Sequence, residues 1–230
     1  MKFLLASQNA HKAQEFAAAV SSLHIVPAPA PIEVDENAST FVGNAVLKAR
    51  AYAEFFQQNA LADDSGLSVE ALDGKPGVYS ARFATMPPDV DDDPDRTAAN
   101  NRKLLKYLKD IPEARRTAFF TCALCLVIVV PEDIEIVKTL KDPHIAYFDR
   151  HLQRVSRQND EIARVEITIE ARAYGRILDQ AHGKGGFGYD PLFFCPETNC
   201  TFADLTQEQK LSVSHRGRAI AQLKEIFKSL

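Results

Sequence analysis

The stretch KFLLASQNAHKAQEFAAAVSSL, residues 2–23, changes character twice along its length. It begins with an apolar run typical of a buried strand and continues through a polar loop at residues 7–11. It ends in an Ala-rich segment with Phe16 and Val20 at i, i+4 spacing, which predicts a helix. A strand, a loop and a helix in this order are the building unit of α/β proteins, so residues 2–23 predict an α/β fold.

The rest of the chain continues the alternation of strands and helices. Apolar runs predict further strands over Leu61–Ala62, Leu67–Leu72, Ala118–Val130 and Ile162–Ala173. Helical periodicity predicts helices over Phe41–Gln57 and Thr97–Lys109, and two more that begin near Thr206 and Ser214. We therefore predict a mixed central sheet flanked by helices.

Residues 131–161 interrupt this alternation. They are charged, carry no motif with a recognisable chemistry, and separate two predicted strands. We interpret them as a surface excursion that contains a helix around Ile145–Gln158.

Length and composition limit the class of protein. The 230 residues carry a net charge of −4, which argues against a general nucleic-acid-binding protein, because such a protein needs a basic surface. The first six residues contain one lysine and a very short apolar run, so no signal peptide is predicted. The longest apolar run, Cys122–Val130, is far shorter than a membrane span. We predict a cytoplasmic protein with no membrane partner and no nucleic-acid partner.

Several familiar kinds of site do not match the sequence. It has no G-x-x-x-x-G-K-[ST] motif, so it is not a P-loop protein. The acidic run Asp91–Asp95 fails as an EF-hand loop, because Arg96 stands where that loop needs glycine. Cys122 and Cys125 have a zinc-like spacing, but on a predicted strand they point to opposite faces. We interpret them as buried free thiols.

The segment Gly183–Pro191 reads GKGGFGYDP and contains four of the ten glycines. Glycine loses much backbone entropy on folding, so a cluster indicates either close approach of a ligand or a tight loop between strands. Phe187 and Asp190 add an aromatic face and a carboxylate acceptor, a combination that suits a heterocyclic base. Taken alone, the segment leaves the ligand loop and the tight turn equally open.

Two predicted helices begin with positively charged side chains. His11 and Lys12 open the first, and His215, Arg216 and Arg218 stand in the first turn of the last. Helix N-termini favour negative neighbours, so this pattern is unfavourable unless an anion binds there. Together with the glycine cluster, it favours an anionic ligand over cations that simply reach into water.

The pair Asp63-Asp64 is the best candidate for catalysis. Adjacent residues on an extended backbone point to opposite sides, so the two carboxylates cannot have the same role. Asp64 and Glu36 offer hard oxygen ligands that suit Mg²⁺ near phosphates, although Asp-Asp-Ser-Gly is also a common turn or helix cap. Asn44 and Lys48 lie one turn apart on a predicted helix and can face one point.

Six motifs coincide, in order, with a known pattern. They are SQNAHK at 7–12, TF-x-x-NA-x-x-KA at 40–49, ADDSGL at 62–67, PGVYSAR at 76–82, GFGYDP at 186–191 and SHRG at 214–217. On these motifs the chain resembles the inosine triphosphate pyrophosphatase (Ham1-like) family, whose members hydrolyse deaminated purine nucleoside triphosphates. The resemblance covers nearly the whole chain except about residues 131–161.

This resemblance implies one domain, residues 1–230, with two lobes, an active-site cleft between them and a family-atypical insertion at about residues 131–161. It also implies a homodimer and a Mg²⁺-dependent pyrophosphatase for ITP, dITP and XTP. Asp64 would accept the proton of the attacking water, and Glu36 and Asp64 would hold Mg²⁺. The implied substrate-binding residues are Ser7, Gln8, Asn9, Ala10, His11, Lys12, Lys48, Ser65, Phe187, Gly188, Tyr189, Asp190, Lys210, His215 and Arg216.

The resemblance also suggests how the base is chosen. His215 and Arg216 are hydrogen-bond donors, so they match the keto oxygen at position six of hypoxanthine and xanthine and leave the amine of adenine unpaired. Guanine carries the same keto oxygen, and the sequence does not explain its rejection. Two residues depart from the family pattern: Gln8 replaces a frequent glycine, and Gly43 replaces a frequent acidic residue.

Two other functions stay open at this point. One is a related nucleotide pyrophosphatase that acts on other modified bases, such as methylated pyrimidines. The other is a nucleotide-binding sensor without turnover. The pair His215-Arg216 favours purine keto recognition over the first, and the set Lys12, Glu36 and Asp64 argues against the second.

Overall fold

The computed structural model describes residues 1–7, 16, 23–139, 151–158 and 161–227. The predicted site residues Gln8, Asn9, Ala10, His11 and Lys12 lie outside this range, as does the first predicted helix apart from Phe16 and Leu23. Within the described ranges, no helix has both the length and the apolar character needed to cross a membrane.

The strands form one eight-stranded sheet. They are β1 (Lys2–Leu5), β2 (His24–Pro27), β3 (Ala60–Val69), β4 (Thr117–Ile128), β5 (His151–Gln158), β6 (Glu161–Ile177), β7 (Phe193–Cys195) and β8 (Cys200–Thr201). Their order is β2-β1-β3-β4-β6-β7-β8, and β5 pairs with β6. Strand β1 runs parallel to β2 and β3, whereas the pairs β5–β6, β6–β7 and β7–β8 are antiparallel. The predicted mixed sheet is confirmed.

Five α-helices lie in the described part of the chain, and all of them except the one at Pro131–Thr139 were predicted. They are α1 (Phe41–Phe56), α2 (Arg96–Leu108), α3 (Pro131–Thr139), α4 (Gln207–Val213) and α5 (His215–Ile226). The Thr40 hydroxyl accepts the Gly43 N–H at 3.0 Å and caps α1. Thr206 and Gln209 form the predicted capping box at the start of α4.

Two predictions of secondary structure were wrong. Strand β3 runs from Ala60 to Val69 without a break, because the Asp-Asp-Ser-Gly segment stays within the sheet between β1 and β4. A short 3₁₀ helix at Glu70–Leu72 follows it, where a second strand was expected. Residues 151–158 form strand β5 instead of a helix, because they pair with β6, with His151 opposite Ile169.

The chain divides into two compact units, each with its own core. Unit 1 comprises Met1–Asp64, Cys122–Ala171 and Arg218–Leu230, and unit 2 comprises Ser65–Thr121 and Arg172–Gly217. The core of unit 2 is rich in aromatic side chains, with Phe83, Phe120, Phe193 and Phe202 among its buried members. A single domain with a cleft between two lobes stays a prediction.

Helix α1 lies close to the sheet in unit 1 because its inner face consists of small side chains. Ala45, Ala49 and Ala53 are buried against a set that includes Ala60 and Ala62 of β3. On the same helix, the Arg50 guanidinium donates two hydrogen bonds of 2.7 Å to the buried Glu166 carboxylate of β6. This fixed helix presents Asn44 and Lys48 to β3.

Residues 131–139, the first part of the predicted surface excursion, are less peripheral than predicted. Ile134 and Val137 of α3 are buried, and the Asp133 carboxylate accepts a hydrogen bond of 2.5 Å from the Asn59 amide. Asn59 also accepts the N–H groups of Val129 and Val130, so α3 is tied to the end of β4. The predicted surface excursion therefore begins with a helix that is part of unit 1.

Candidate active site

A group of polar side chains in unit 1, the carboxylate cluster, joins α1 to β3. Its members are Glu36, Asn44, Lys48, Asp63 and Asp64. The buried Asn44 amide uses both ends: Oδ1 accepts the Ala38 N–H at 2.9 Å, and Nδ2 donates to Asp64 Oδ2 at 3.1 Å. Because the Asn44 amide is fixed by Ala38, it holds the Asp64 carboxylate in one orientation.

Lys48 stands one turn after Asn44 and connects two parts of the cluster. Its Nζ lies 2.8 Å from Glu36 Oε2 and donates to the Asp63 carbonyl at 3.3 Å. The side chains of Lys48 and Glu36 are 14% and 33% exposed. The ammonium is therefore positioned by α1 and accessible from water, as a group that binds phosphate must be.

Asp63 and Asp64 have different surroundings, as their alternation on a strand predicts. The Asp63 carboxylate is buried and accepts a hydrogen bond from the Cys122 thiol, with an Sγ–Oδ2 distance of 3.6 Å. Asp64 is only partly buried and contacts Asn44. The more accessible carboxylate is the one that the resemblance assigns to catalysis.

Ser7 follows the carboxyl end of β1 in the same unit. The register pairs Leu5 with Leu61, and the Ala6 N–H donates to the Leu61 carbonyl at 2.8 Å. Extended by two residues, this register sets Ser7 opposite Asp63. Ligands of α/β proteins bind at the carboxyl ends of parallel strands, which is where this part of the chain lies.

A second group, in unit 2, contains residues that the resemblance assigns to the substrate, and we call it the base-binding cluster after that assignment. Its members are Ser65, Phe187, Asp190, Lys210, His215 and Arg216. The Lys210 ammonium lies 2.5 Å from Asp190 Oδ2 and 4.5 Å from the centre of the Phe187 ring. The same carboxylate oxygen accepts the Phe187 N–H at 2.7 Å. Burial raises the pKa of Asp190, although the Lys210 ammonium and the Phe187 N–H act in the opposite direction.

His215 and Arg216 begin α5 and are buried, at 4% and 2% exposure. The His215 ring stacks on Phe120 with 4.9 Å between ring centres, and Arg216 donates to Ser65 Oγ at 3.4 Å. The interpretation that these two side chains simply reach into water is therefore wrong. Ser65 directly follows Asp64 in β3.

Two of the predicted binding residues contribute in ways that their side chains do not suggest. Tyr189 is buried in the core of unit 2, where its hydroxyl donates to the Ser80 carbonyl at 2.9 Å. It can therefore offer a ligand only its backbone. Gly188 has no side chain, and its carbonyl accepts a hydrogen bond of 3.1 Å from the Asn101 amide of α2.

The profile of the Ham1 family matches residues 3–226 of this chain. The chain belongs to the Ham1 family. It is 40% identical to the dITP/XTP pyrophosphatase of Desulforamulus reducens, over 100% of this chain and 97% of that protein. It is 39% identical to the dITP/XTP pyrophosphatase of Pseudomonas aeruginosa, over 97% and 95%.

Solved structures of Ham1 proteins have the same fold. A HAM1 protein from Coxiella burnetii superposes with a TM-score of 0.73 at 30% identity, with 100% of both chains covered. The nucleoside-triphosphatase / dITP/XTP pyrophosphatase from Mycobacterium abscessus gives a TM-score of 0.65 at 36% identity, with coverage of 97% and 98%. The family and the fold class that the six motifs predict are confirmed.

The structure also explains one departure from the family pattern. A Cβ on Gly43 would lie 2.6 Å from the Ala38 Cβ and 3.0 Å from the Thr40 hydroxyl. An acidic side chain at this position would therefore disturb both the helix cap and Ala38, which lies two residues after Glu36. The other departure, Gln8, lies outside the described residues.

Two residues outside the predicted site contact these clusters. The sequence places Asn44 on the same helix face as Lys48 but gives it no role, and the structure shows that its amide holds Asp64. Asn101 contacts Gly188 across 87 residues of sequence, and no local pattern indicates such a contact.

The sequence predicts a buried free thiol at Cys125. Burial raises the pKa of that thiol to about 12, so it stays protonated and unreactive.

Proposed function

We propose that this Ham1 protein hydrolyses ITP, dITP and XTP to the nucleoside monophosphate and pyrophosphate. The curated relatives that carry this activity in their names match nearly the full length of the chain. The observation that carries the proposal is the carboxylate cluster, in which Asn44 orients Asp64 and Lys48 stands beside Glu36. Removal of the noncanonical nucleotides keeps them out of the nucleotide pool.

The carboxylate cluster suits a hard divalent cation. Glu36 and Asp64 offer carboxylate oxygens, and the described residues contain no group of three or more His, Cys, Asp or Glu side chains placed to hold a metal. A site with few protein ligands, completed by phosphates and water, is the usual arrangement for Mg²⁺. We propose that Glu36 and Asp64 hold Mg²⁺, which supplies positive charge to the phosphates.

The side chains of this chain supply the remaining chemistry. Asp64, oriented by Asn44, accepts a proton from water as that water attacks the α-phosphorus. The bond between the α-phosphorus and the bridging oxygen breaks, and pyrophosphate leaves. Lys48 neutralises charge on the phosphates in the transition state. Lys12 has the same proposed role, together with the substrate contacts of residues 7–11.

Base recognition belongs to the base-binding cluster in this proposal. His215 and Arg216 are buried, and their N–H groups can donate to an acceptor on the base. The keto oxygen of hypoxanthine or xanthine supplies one, whereas the amine of adenine would leave a donor unpaired at a cost of about 1–3 kcal/mol. Phe187, which is 36% exposed, offers an aromatic surface to the base.

One experiment separates this function from its two alternatives. The purified protein is incubated with Mg²⁺ and a panel of nucleoside triphosphates that includes ITP, XTP, GTP, ATP and methylated pyrimidine nucleotides, and the products are identified. We expect IMP and pyrophosphate from ITP. IDP and phosphate would contradict the mechanism, faster turnover of methylated pyrimidines would favour the related pyrophosphatase, and binding without turnover would favour a sensor.

Three further expectations accompany this function. We propose a homodimer, which light scattering during gel filtration tests directly. We propose action on the cytoplasmic nucleotide pool, in agreement with four cysteines that are all free. We also propose that Mg²⁺ is the physiological ion: chelation should abolish turnover, and added Mg²⁺ should restore it.

A further inference from the structure

Asn100 and Asn101 are adjacent on α2 but bind different parts of unit 2. Asn100 is buried: its Oδ1 accepts the Ala84 N–H at 2.7 Å, and its Nδ2 lies 3.2 Å from the carbonyls of Ser80 and Ala81. These bonds fix α2 to the segment before it. From this fixed helix, Asn101 Nδ2 donates to the Gly188 carbonyl at 3.1 Å.

The loop that Asn101 reaches has a defined backbone. Gly186 and Gly188 have φ of 72° and 61°, which side chains rarely allow, and a Cβ on Gly186 would overlap the Asp190 carboxylate. The Phe187 N–H donates to Asp190 Oδ2, and the Phe187 carbonyl accepts the Asp190 N–H at 3.2 Å. The Gly188 carbonyl, one peptide group further along, accepts a hydrogen bond from Asn101. Phe187 is therefore held by Asp190 at its own peptide groups and by Asn101 at the following one.

The environment of Asn101 Oδ1 indicates that the hydrogen bond from Nδ2 to the Gly188 carbonyl determines the orientation of the Asn101 amide. Oδ1 is buried and has no hydrogen-bond partner among the described residues. If the amide were turned round, Oδ1 would face the Gly188 carbonyl, and two acceptors would meet. An asparagine on a helix surface normally hydrates its amide oxygen. Here the Asn101 amide keeps its hydrogen bond to Gly188 while its Oδ1 is buried without one in the described part of the chain.

We propose that Asn101 is a positioning residue for base recognition, which fixes the Gly188 carbonyl and thereby the place of Phe187. This inference rests on the proposed function, because Phe187 is taken as part of the base site. The Asn101 amide donates to the Gly188 carbonyl, which belongs to the loop that carries Phe187. Its loss should therefore weaken binding of the base and leave the chemistry at the phosphates unchanged.

The test uses Asn101→Ala and Asn101→Asp. The second keeps the size of the side chain but replaces the donor by an oxygen that faces the Gly188 carbonyl. With ITP and Mg²⁺, we expect KM to rise about three- to tenfold in Asn101→Ala, the equivalent of one net hydrogen bond, and further in Asn101→Asp. The kcat should stay within about twofold, since no group at the reacting atoms changes.

Inorganic tripolyphosphate is the internal control, because it resembles the phosphates of the substrate and has no base. Its inhibition constant against ITP should be the same in wild type and both variants. Arg102→Ala is the matched control on α2: Arg102 binds Asp91 and Asp93 in the exposed acidic loop and should leave KM unchanged. An unchanged KM in both Asn101 variants would overturn the proposal, as would equal losses in KM, kcat and tripolyphosphate binding.

Hydrogen exchange separates this inference from the proposed function. The amides of residues 183–191 should exchange faster in Asn101→Ala than in wild type, whichever nucleotide is the substrate. If wild type fails to hydrolyse ITP, the proposed function fails, and the exchange rates still decide whether Asn101 anchors the loop. Unchanged exchange would remove the anchor and with it the inference.

Discussion

Each of the two clusters contains one lysine–carboxylate pair, and the two pairs differ mainly in the exposure of their carboxylates to water. Lys48 and Glu36, in unit 1, are 2.8 Å apart with side chains 14% and 33% exposed. Lys210 and Asp190, in unit 2, are 2.5 Å apart with side chains 10% and 3% exposed. A partly exposed pair contributes about 0–1 kcal/mol, so Lys48 is readily available to a phosphate. A buried pair cannot lose one partner without leaving an uncompensated charge.

We therefore expect Lys48 and Glu36 to matter mainly for turnover, and Lys210 and Asp190 mainly for stability. Substitutions in the carboxylate cluster should lower activity and leave the fold intact. Substitutions in the buried pair of the base-binding cluster should lower the stability of the protein, and any loss of activity should follow from that loss of stability. Each of the following variants would break or sharpen that distinction.

The largest effect is expected from Asp64→Asn. The amide keeps the size of the side chain but cannot accept the proton of the attacking water, so kcat for ITP should fall by about 10³-fold. Pyrophosphate release measures the loss, and Tm should stay close to that of wild type. Asp73→Asn, in an exposed turn where φ is 53°, is the matched control, because asparagine tolerates that conformation. Near-normal turnover in Asp64→Asn would remove Asp64 as the base.

The next largest effect is on stability, in Lys210→Met. It leaves the buried Asp190 carboxylate without its ammonium, and the free energy of unfolding should fall by about 3–5 kcal/mol. Urea denaturation measures this loss. Lys48→Met provides the comparison in unit 1 and should lose less than about 1 kcal/mol, because its partner Glu36 reaches water. Equal losses in the two variants would show that the pairs do not differ as their burial indicates.

The pH dependence of the Lys210→Met variant provides an independent check. Burial already raises the pKa of Asp190, and removal of Lys210 raises it further. A folded-state pKa above the unfolded one means that the folded protein binds the proton more tightly. The penalty is therefore present above the folded pKa and declines as pH falls through it, so the variant should lose less stability at about pH 5 than at about pH 8. The reverse trend would mean that Asp190 is stable as a buried carboxylate without Lys210.

A smaller effect on turnover is expected from Lys48→Met itself. Without the ammonium beside Glu36, less positive charge faces the phosphates, and kcat/KM for ITP should fall by about 10²-fold. Lys48→Arg should recover part of it, since the charge is kept and only its position changes. A variant with wild-type kcat/KM would show that the phosphates do not use Lys48.

The carboxylate cluster was largely predictable because local rules determine it. The i, i+4 spacing of Asn44 and Lys48 places both on one side of α1, and strand alternation separates Asp63 from Asp64.

Two features of the secondary structure could not be predicted locally, because they depend on contacts between residues distant in sequence. The pairing of β5 with β6 overrides the helical pattern of residues 151–158, and the sheet keeps residues 63–66 extended although their sequence favours a turn.

For the base-binding cluster, the sequence predicts members but not their contacts. The motifs GFGYDP and SHRG named Phe187, Asp190 and Arg216, but they contain no information about the partners of these residues. Arg216 contacts Ser65 across 151 residues, and the ring beneath His215 is Phe120 of β4. Such contacts follow from the packing of a whole unit, and helix or strand periodicity does not encode them.

The smallest effects are expected from substitutions at the two helix caps, each of which precedes one of the two lysines. Thr40 caps α1, which carries Asn44 and Lys48, and Thr206 caps α4, which carries Lys210. Thr40→Ala and Thr206→Ala should each lower the free energy of unfolding by about 1 kcal/mol, measured by urea denaturation. Their effects on turnover should differ, because Asn44 lies in the first turn of α1 and that turn frays without its cap.

In Thr40→Ala, fraying moves the amide that orients Asp64, so we expect kcat to fall by about two- to fourfold. In Thr206→Ala, Lys210 is still held by the buried Asp190, and kcat should not change. Steady-state kinetics with ITP at a temperature well below both unfolding transitions distinguishes the two results. Equal kcat values would show that the first turn of α1 stays in place without its cap, and that Ala38 alone suffices to hold Asn44 against Asp64.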